Sequence, residues 1–267
     1  MLSWAEMKRL IVTADDLGLS PEMNEGILQA HRHGLVTSAS LMVGTPHSKA
    51  AIDAARECPN LSLGIHLQFV QGQALSAPED IKSLANEHGQ LPDSVFALML
   101  KRPTQADLEH EARAQLNAFV ESVGYAPQFV NTHQHAHLLP RVLKVVLKLS
   151  CEFGIRAIRL PAEHHPVRPN RRLRSWLWPV AAGAARLSRP SIYQAGLSCP
   201  DNMLGGPESG HMTTQMLSDL LQQLPDGTTE LVMHPETGGS DLEALLNPSI
   251  RRELDHAGVE RVPFNVL

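Results

Sequence analysis

Acidic and imidazole side chains follow three apolar runs of this sequence at the point where each run ends. They are Asp15 and Asp16 after residues 10–14, His66 after residues 61–65, and His133, His135 and His137 after residues 129–132. Short apolar runs are typical of buried parallel strands, and α/β folds gather ligands beyond the carboxyl ends of such strands. Because carboxylate and imidazole groups bind divalent metal ions, the pattern indicates a metal-dependent hydrolase.

Asp15 and Asp16 form an adjacent acidic pair. A single Asp after a strand commonly caps backbone amides in a turn, and that structural interpretation stays open for each of them. Two adjacent carboxylates, however, repel each other unless a cation or a proton compensates. Ser20 is already the predicted cap of the next helix. One metal ligand beside one free carboxylate base would explain both residues.

The histidines differ in how strongly they indicate a metal site. His66 alone is more often a core or turn residue, and it gains weight from the strand-end position that it shares with the acidic pair. His133, His135 and His137 alternate at a spacing of two, so an extended chain would place neighbouring ones about 6.6 Å apart on one face. We expect one or two of them to bind a metal ion and the others to contact substrate or orient ligands. A polar surface loop is the alternative.

Two further residues stand at predicted strand ends. His234 follows an apolar run and could act as a general acid, since imidazole titrates near neutral pH. It could equally be a core or loop histidine ahead of Pro235. Arg159 could orient a catalytic carboxylate, and an ordinary ion pair is the alternative.

Strand and helix patterns alternate along most of the chain. The predicted strands cover residues 10–14, 38–43, 61–66, 129–132, 157–160, 229–233 and 259–262. The predicted helices cover residues 21–33, 46–56, a segment capped by Thr104 that reaches Phe119, 140–153, 213–224 and 248–257. Residues 71–103 are interpreted as a long excursion and residues 161–210 as irregular. This alternation predicts one parallel α/β barrel, with fewer than eight strands allowed.

Length and composition fit that fold. The chain has 267 residues, which suits a single barrel of roughly 250 residues. We expect residues 7–267 to form one domain and residues 1–6 to be a disordered lead. A net charge of -5 gives no sign of nucleic-acid binding. No segment resembles a signal peptide or a membrane span.

The three cysteines, Cys58, Cys151 and Cys199, are widely spaced and form no CxxC pair. This pattern indicates neither a disulfide framework nor a structural zinc site. A reducing cytoplasm is the simplest location for such a chain.

The motifs of the chain resemble those of the YdjC/ChbG-like carbohydrate deacetylases, in the same order and over nearly the whole sequence. The matching segments are TADDLGLSPEMNEGI, GLVTSASLMV, LGIHL, VNTHQHAHLLP, IRLP and VMHPE. The pattern is most similar to the hopanoid-biosynthesis-associated, HpnK-like branch. The resemblance implies a deformed (β/α) TIM-like barrel of the glycoside hydrolase/deacetylase type. It also implies metal-dependent removal of acetyl groups from N-acetylated sugars or sugar-lipids.

Roles for single residues also follow from motif position. The resemblance implies that the metal ligands are Asp16, His66 and His133, that the catalytic base is Asp15, and that the acid is His234. It implies Mg²⁺ as the usual ion, with Zn²⁺ as the alternative. The sequence departs from the family at Gln134, which separates two histidines that are often adjacent, and at Leu17, where Phe is common.

Residues 168–189 lie outside these motifs and have an unusual composition. They contain six arginines, no acidic residue, and Trp176 and Trp178 within an apolar stretch. Trp flanked by Arg is typical of an interfacial segment. The sequence leaves three uses open: a flap that touches a membrane surface or a lipid-linked sugar, a barrel helix with core tryptophans, and a homodimer surface.

Two other functions compete with deacetylation. Amidohydrolases and phosphoesterases use similar barrels, but they commonly place an HxH pair after the first strand, where this chain has Asp15 and Asp16. A non-catalytic sugar- or lipid-binding barrel is disfavoured because every expected site residue is present.

Overall fold

A parallel β-sheet organises the protein. The computed structural model describes the backbone of residues 7–163 and 173–267, and the side chains of residues 7–163 and 181–267. The strands are Lys8–Leu17 (β1), Ser38–Leu41 (β2), Ser62–Leu67 (β3), Val130–Thr132 (β4), Asn202–Leu204 (β5), Gly227–Met233 (β6) and Glu260–Arg261 (β7). The lead predicted at residues 1–6 lies outside the described residues.

Helices connect most of the strands. The described helices are Pro21–His33 (α1), Ser48–Arg56 (α2), Val95–Lys101 (α3), Gln105–Val123 (α4), Pro140–Phe153 (α5), Leu173–Gln194 (α6), Thr214–Leu221 (α7), Ser240–Leu246 (α8) and Pro248–His256 (α9). None of them combines the length and the apolarity needed to cross a bilayer.

The sheet curls around a central strand, β1. The strand order is β4-β3-β2-β1-β6-β5, all pairs are parallel, and β7 pairs with the start of β1. Parallel bridges from Val130 to Ile158 and from Glu163 to Met203 link β4 to β5 through residues 157–163. The structure therefore confirms a deformed α/β barrel, and the described residues form seven strands.

Local capping explains where the helices next to the strand ends begin and end. Ser20 Oγ accepts a hydrogen bond from the backbone N–H of Met23 at 3.1 Å, and Pro21 occupies the first turn of α1. Thr104 caps α4 in the same way, and Gly124 ends it with a φ of +94°. These caps confirm the helix starts predicted at both positions.

Two expectations about the fold are wrong. The described part of residues 161–210 is not irregular, because it contains the 22-residue helix α6 and strand β5. Pro179 and Pro190 lie within α6 and hide its pattern, since proline is disfavoured in helix interiors. The strand predicted at residues 157–160 consists of bridges only. The long excursion predicted at residues 71–103 is present, and it includes α3.

The segment at residues 168–189 is described in part. Its residues 168–172 lie outside the described chain, as do the side chains of residues 173–180, including Trp176 and Trp178. Helix α6 covers the remainder, and Leu187 on it is 83% exposed. The membrane and dimer interpretations of this segment remain predictions.

Candidate active site

A β-bulge at the end of β1 directs both aspartates into one cleft. Ala14 pairs with Ala39 and Leu17 pairs with Leu41, so β1 carries one more residue than β2 between these pairs. Asp16 adopts a φ of +67°, a left-handed conformation that Asp tolerates better than most residues. Adjacent side chains of a regular strand point to opposite faces. The bulge removes that alternation, and both carboxylates line the cleft.

Asp16, His66 and His133 bring three ligand atoms together. Asp16 Oδ1 lies 3.2 Å from His66 Nε2 and 3.2 Å from His133 Nδ1, and the two ring nitrogens are also 3.2 Å apart. Donors bound to one ion at about 2.1 Å are spaced by roughly 3.0–3.4 Å. No other group of three such donors occurs within residues 7–163 and 181–267. These three residues therefore fit a divalent metal ion.

Hydrogen bonds on the far side of each imidazole orient the two histidines of this triad. Asn131 Nδ2 donates to a carboxylate oxygen of Asp15 at 3.0 Å, so Asn131 Oδ1 must accept from His66 Nδ1, 2.6 Å away. His133 Nε2 donates to Gln71 Oε1 at 2.8 Å. These partners occupy the far nitrogen of each ring and leave the nitrogen that faces Asp16 available to a metal ion, as in metal-binding histidines.

The local charge favours a cation at this position. Burial by itself raises the pKa of Asp16, but contacts with His133 and His66 outweigh it, and the pKa lies well below its usual value. Burial lowers the pKa of His66, whereas the charges of Asp15 and Asp16 raise it, and the net shift is upward. The two carboxylates therefore create a negative field where the ring nitrogens meet.

Asp15 is held by four hydrogen bonds. Its Oδ1 accepts from Ser40 Oγ at 2.7 Å, Asn131 Nδ2 at 3.0 Å and Arg159 Nη2 at 2.9 Å, and its Oδ2 accepts from Arg159 Nη1. Burial raises the pKa of Asp15, but the charge and hydrogen bonds of Arg159, together with the nearby His66 and His234, outweigh it, and the pKa lies well below its usual value. Asp15 is therefore ionised at neutral pH and fixed in orientation.

Arg159 is fully buried and lies between two carboxylates. Besides Asp15, it binds Glu230 on β6, donating from Nε at 2.9 Å and from Nη2 at 2.7 Å. Burial raises the pKa of Glu230, and the opposing effect of Arg159 does not cancel the rise. The paired guanidinium orients Asp15, as the position of Arg159 at a predicted strand end suggested.

His234 faces the triad from the end of β6. Because Ala14 of β1 pairs with Met233 of β6, His234 lies level with the β1 bulge. His234 Nε2 lies 3.5 Å from Asp16 Oδ2, and the Ser209 hydroxyl contacts its Nδ1. Asp241 accepts the backbone N–H of His234 at 2.8 Å and those of Gly210 and Met212 in the loop that carries Ser209.

The third histidine cluster is not extended. Residues His133–Leu138 form a tight 3₁₀ segment in which Gln134 and His135 have φ values of +52° and +55°. Only His133 joins the triad, whereas His135 lines the cleft wall and His137 is buried against Thr132 at 2.7 Å. Alternation along a strand therefore does not explain the cluster. The expected role of one or two of these histidines as metal ligands remains a prediction, and the burial of His137 against Thr132 does not make it a substrate contact.

Asp15, Asp16, His66, His133 and His234 border one cleft of about 420 Å³. That size is typical of a small-molecule site. Polar residues of its described walls include Gln71, Gln134, His211, Ser209 and Glu236.

The sequence analysis did not identify the residues that hydrogen-bond to the predicted site residues. They are Ser40, Gln71, Asn131, Ser209, Glu230 and Asp241. Glu230 offered a signal, because an acidic residue inside an apolar strand needs a buried partner. Asn131 precedes His133 by two positions and could have been assigned to the same face. Ser209 and Gln71 lie in loops and carried no pattern.

The fold and the site together define an α/β barrel with a strand-end triad that could hold a metal ion. Comparisons with known proteins identify its family. The model of the YdjC-like protein family matches residues 9–257. A carbohydrate deacetylase from Geobacillus stearothermophilus is 31% identical over 269 residues, covering 95% of this chain and 96% of that protein. One from Homo sapiens is 29% identical, covering 94% and 88%. The chain belongs to the YdjC-like family.

Solved structures show the same fold. A putative cellobiose-phosphate cleavage protein from Enterococcus faecalis V583 superposes with a TM-score of 0.77 at 22% identity, covering 97% of this chain and 98% of that one. A CE4 family pseudoenzyme from Bacillus anthracis gives a TM-score of 0.51 at 10% identity, covering 98% and 66%. At these identities the likeness concerns the fold alone.

Proposed function

We propose that this protein is a metal-dependent carbohydrate deacetylase, which hydrolyses the acetamide of an N-acetylated sugar to acetate and an amine. The observation that carries the proposal is the Asp16–His66–His133 triad, which lies in one cleft with Asp15 and His234. The relatives named carbohydrate deacetylase, which align over nearly the whole chain, support the reaction class.

Asp16, His66 and His133 would hold the ion. A divalent ion at such a triad supplies Lewis-acid polarisation of a carbonyl oxygen and lowers the pKa of a bound water. Mg²⁺ is the ion that the family resemblance implies. Two imidazole nitrogens with one carboxylate match the chemistry of Zn²⁺ better, because Mg²⁺ prefers oxygen ligands.

Asp15 acts in this proposal as the general base. Its Oδ1 already accepts three hydrogen bonds, whereas its Oδ2 accepts only from Arg159. An ionised carboxylate oxygen has about two lone-pair directions, so Oδ2 retains one that can take a proton from water. The water oxygen then forms a bond to the acetamide carbonyl carbon. Arg159 keeps the carboxylate ionised and in place.

His234 acts as the general acid on the opposite side of Asp16. In the protonated ring, Nδ1–H donates to the Ser209 hydroxyl, and Nε2–H points toward the cleft. Transfer of the Nε2 proton to the sugar nitrogen lets the C–N bond break and releases a neutral amine. The acetyl carbon leaves as acetate with the oxygen of the attacking water.

We propose that the substrate is an N-acetylated oligosaccharide or sugar-lipid, and the acetate-release experiment below compares the two. For residues 168–189 three interpretations stay open: a flap that contacts a membrane surface or a lipid-linked sugar, a barrel helix, and a homodimer surface. A cytoplasmic location likewise remains a prediction from cysteine usage.

Acetate release tests the proposed function. Chelator-stripped protein is supplied with Mg²⁺ or Zn²⁺ and incubated with N-acetylglucosamine, chitooligosaccharides and an N-acetylglucosaminyl glycolipid. We expect acetate and free amine in equal amounts, and only with metal. Folded, metal-loaded protein that releases no acetate from any of these substrates would contradict the proposal and favour the alternative hydrolases, which a phosphoester panel then tests.

A further inference from the structure

Gln71 contacts a metal ligand from a loop, outside the predicted motifs. Its Oε1 lies 2.8 Å from His133 Nε2, on the side of the ring opposite Asp16. Gln71 is exposed, and it adopts a left-handed φ of +59°. Its backbone N–H donates to Pro92 O at 2.7 Å, which fixes this conformation. A strained backbone held by the surrounding structure is common where a side chain must be aimed.

Two buried polar residues of α4 hold the loop that carries Gln71. Gln115 binds Gln68 twice, accepting its N–H at 2.8 Å and donating to its carbonyl at 2.7 Å. Glu111 accepts the N–H groups of Leu75 and Ser76, each at 2.9 Å, and the Gln115 amide at 2.7 Å. Because burying a carboxylate is costly unless it is paired and hydrogen-bonded, these contacts indicate a fixed loop at residues 68–76.

We infer that Gln71 is a positioning residue of the metal centre, held in place by the Glu111–Gln115 pair. The inference rests on the proposed metal site. A ring that binds metal through Nδ1 must carry its proton on Nε2, and the Gln71 carbonyl oxygen accepts that proton. Gln71 thereby fixes both the tautomer and the rotation of the His133 ring. Loss of such a partner weakens metal affinity by roughly 10- to 100-fold.

Metal affinity, measured without substrate, tests the inference. Zn²⁺ binding is measured by competition with a chromophoric chelator for the wild type, Gln71→Leu, Gln71→Glu and Gln73→Leu. Gln73 is the matched control, because its amide contacts His88 and Gln90 in the same excursion. We expect Gln71→Leu to bind Zn²⁺ roughly 10- to 100-fold more weakly. Gln71→Glu, which keeps an acceptor, and Gln73→Leu should bind like the wild type or more tightly.

The outcomes separate the two proposals. A wild type that binds no Zn²⁺ or Mg²⁺ would overturn the proposed metal site together with the role of Gln71. A wild type that binds metal while Gln71→Leu matches Gln73→Leu would overturn the role of Gln71 alone. Acetate release by wild type and variant then stays as a separate test of the reaction.

Hydrogen exchange in metal-free protein tests the loop contacts separately. The amides of Gln68, Leu75 and Ser76 donate to Gln115 or Glu111 and should exchange slowly with deuterium. Exchange as fast as that of an exposed loop would overturn the part assigned to the Glu111–Gln115 pair. Glu111→Gln should speed exchange at Ser76 and weaken Zn²⁺ binding in the same direction as Gln71→Leu.

Discussion

Asp15 and Asp16 are neighbours in the chain, share one cleft, and have different partners there. Asp15 is held by Arg159 and two neutral donors, whereas Asp16 lies 3.2 Å from one nitrogen each of His66 and His133. The bulge at the end of β1 makes this division possible, because a regular strand would direct one of the two away. The two carboxylates therefore have separate surroundings, which suits the proposed division between a metal ligand and a base.

Asp16→Asn should remove metal binding without unfolding the protein. Asn tolerates the left-handed conformation at position 16, so the bulge is retained. Metal at 100 times its Kd stabilises a binding protein by about 2.7 kcal/mol. We expect urea unfolding to show that gain for the wild type and none for Asp16→Asn. An equal gain in both proteins would exclude Asp16 as a ligand.

Arg159→Met should be strongly destabilising. It would leave the carboxylates of Asp15 and Glu230 buried without their cation, and removing one partner of a buried pair costs about 3–5 kcal/mol. Arg113→Met is the matched control, since Arg113 pairs with Glu109 and Glu152 near the surface and should cost no more than about 1 kcal/mol. Equal losses in urea unfolding would contradict a structural role for the buried cluster.

His137 should make stability depend on pH. Burial, with the nearby charge of Arg159, lowers the pKa of His137 to about 3. The unfolded chain binds a proton at His137 near its ordinary pKa of about 6.5, and the folded protein does not. The free energy of unfolding should therefore fall as pH drops from about 6.5 toward 3, by up to about 1.4 kcal/mol per pH unit.

His137→Asn isolates this effect. The variant lacks the titrating ring, so its free energy of unfolding should fall less steeply below pH 6.5 than that of the wild type. Above pH 7.5 the two curves should run parallel. Urea titrations of metal-free protein between pH 5 and 8 make the comparison, and parallel curves over the whole range would show that His137 is not a buried neutral histidine.

Ser209→Ala should slow turnover while leaving substrate binding unchanged. The Ser209 hydroxyl contacts His234 Nδ1 and sets the direction of Nε2. Misdirecting a proton donor costs roughly 10- to 100-fold in rate. We expect kcat to fall with KM unchanged, and Ser209→Thr to restore activity because it keeps the hydroxyl. A change in KM alone would instead make Ser209 a substrate contact.

The strand ends of this protein could be predicted because apolar runs and the acids or histidines after them are local patterns. The position of His66 after residues 61–65 and that of His234 after β6 follow from that pattern directly. The bulge at Asp16 could not be predicted, since it depends on pairing with β2. The partners of the site residues come from distant parts of the chain, as with Arg159 and Asp15, 144 positions apart.

Helix α6 shows the other limit. Pro179 and Pro190 lie within it and interrupt the local pattern that would indicate a helix. The turn at residues His133–Leu138 could not be predicted either. Its two left-handed residues separate His133, which lies in the triad, from His137, which lies in the core. The extended conformation predicted for these residues would instead place all three histidine side chains on one face.

The measurement that tests the central claim most directly compares metal content and acetate release in the wild type and Asp15→Asn. Asp15 is not one of the three proposed metal ligands, so Asp15→Asn should retain one bound metal ion per chain. It should lose turnover by roughly 100-fold or more, because it lacks the base. Loss of metal together with activity would contradict the division of roles between Asp15 and Asp16. Intact activity with metal bound would remove Asp15 from the mechanism.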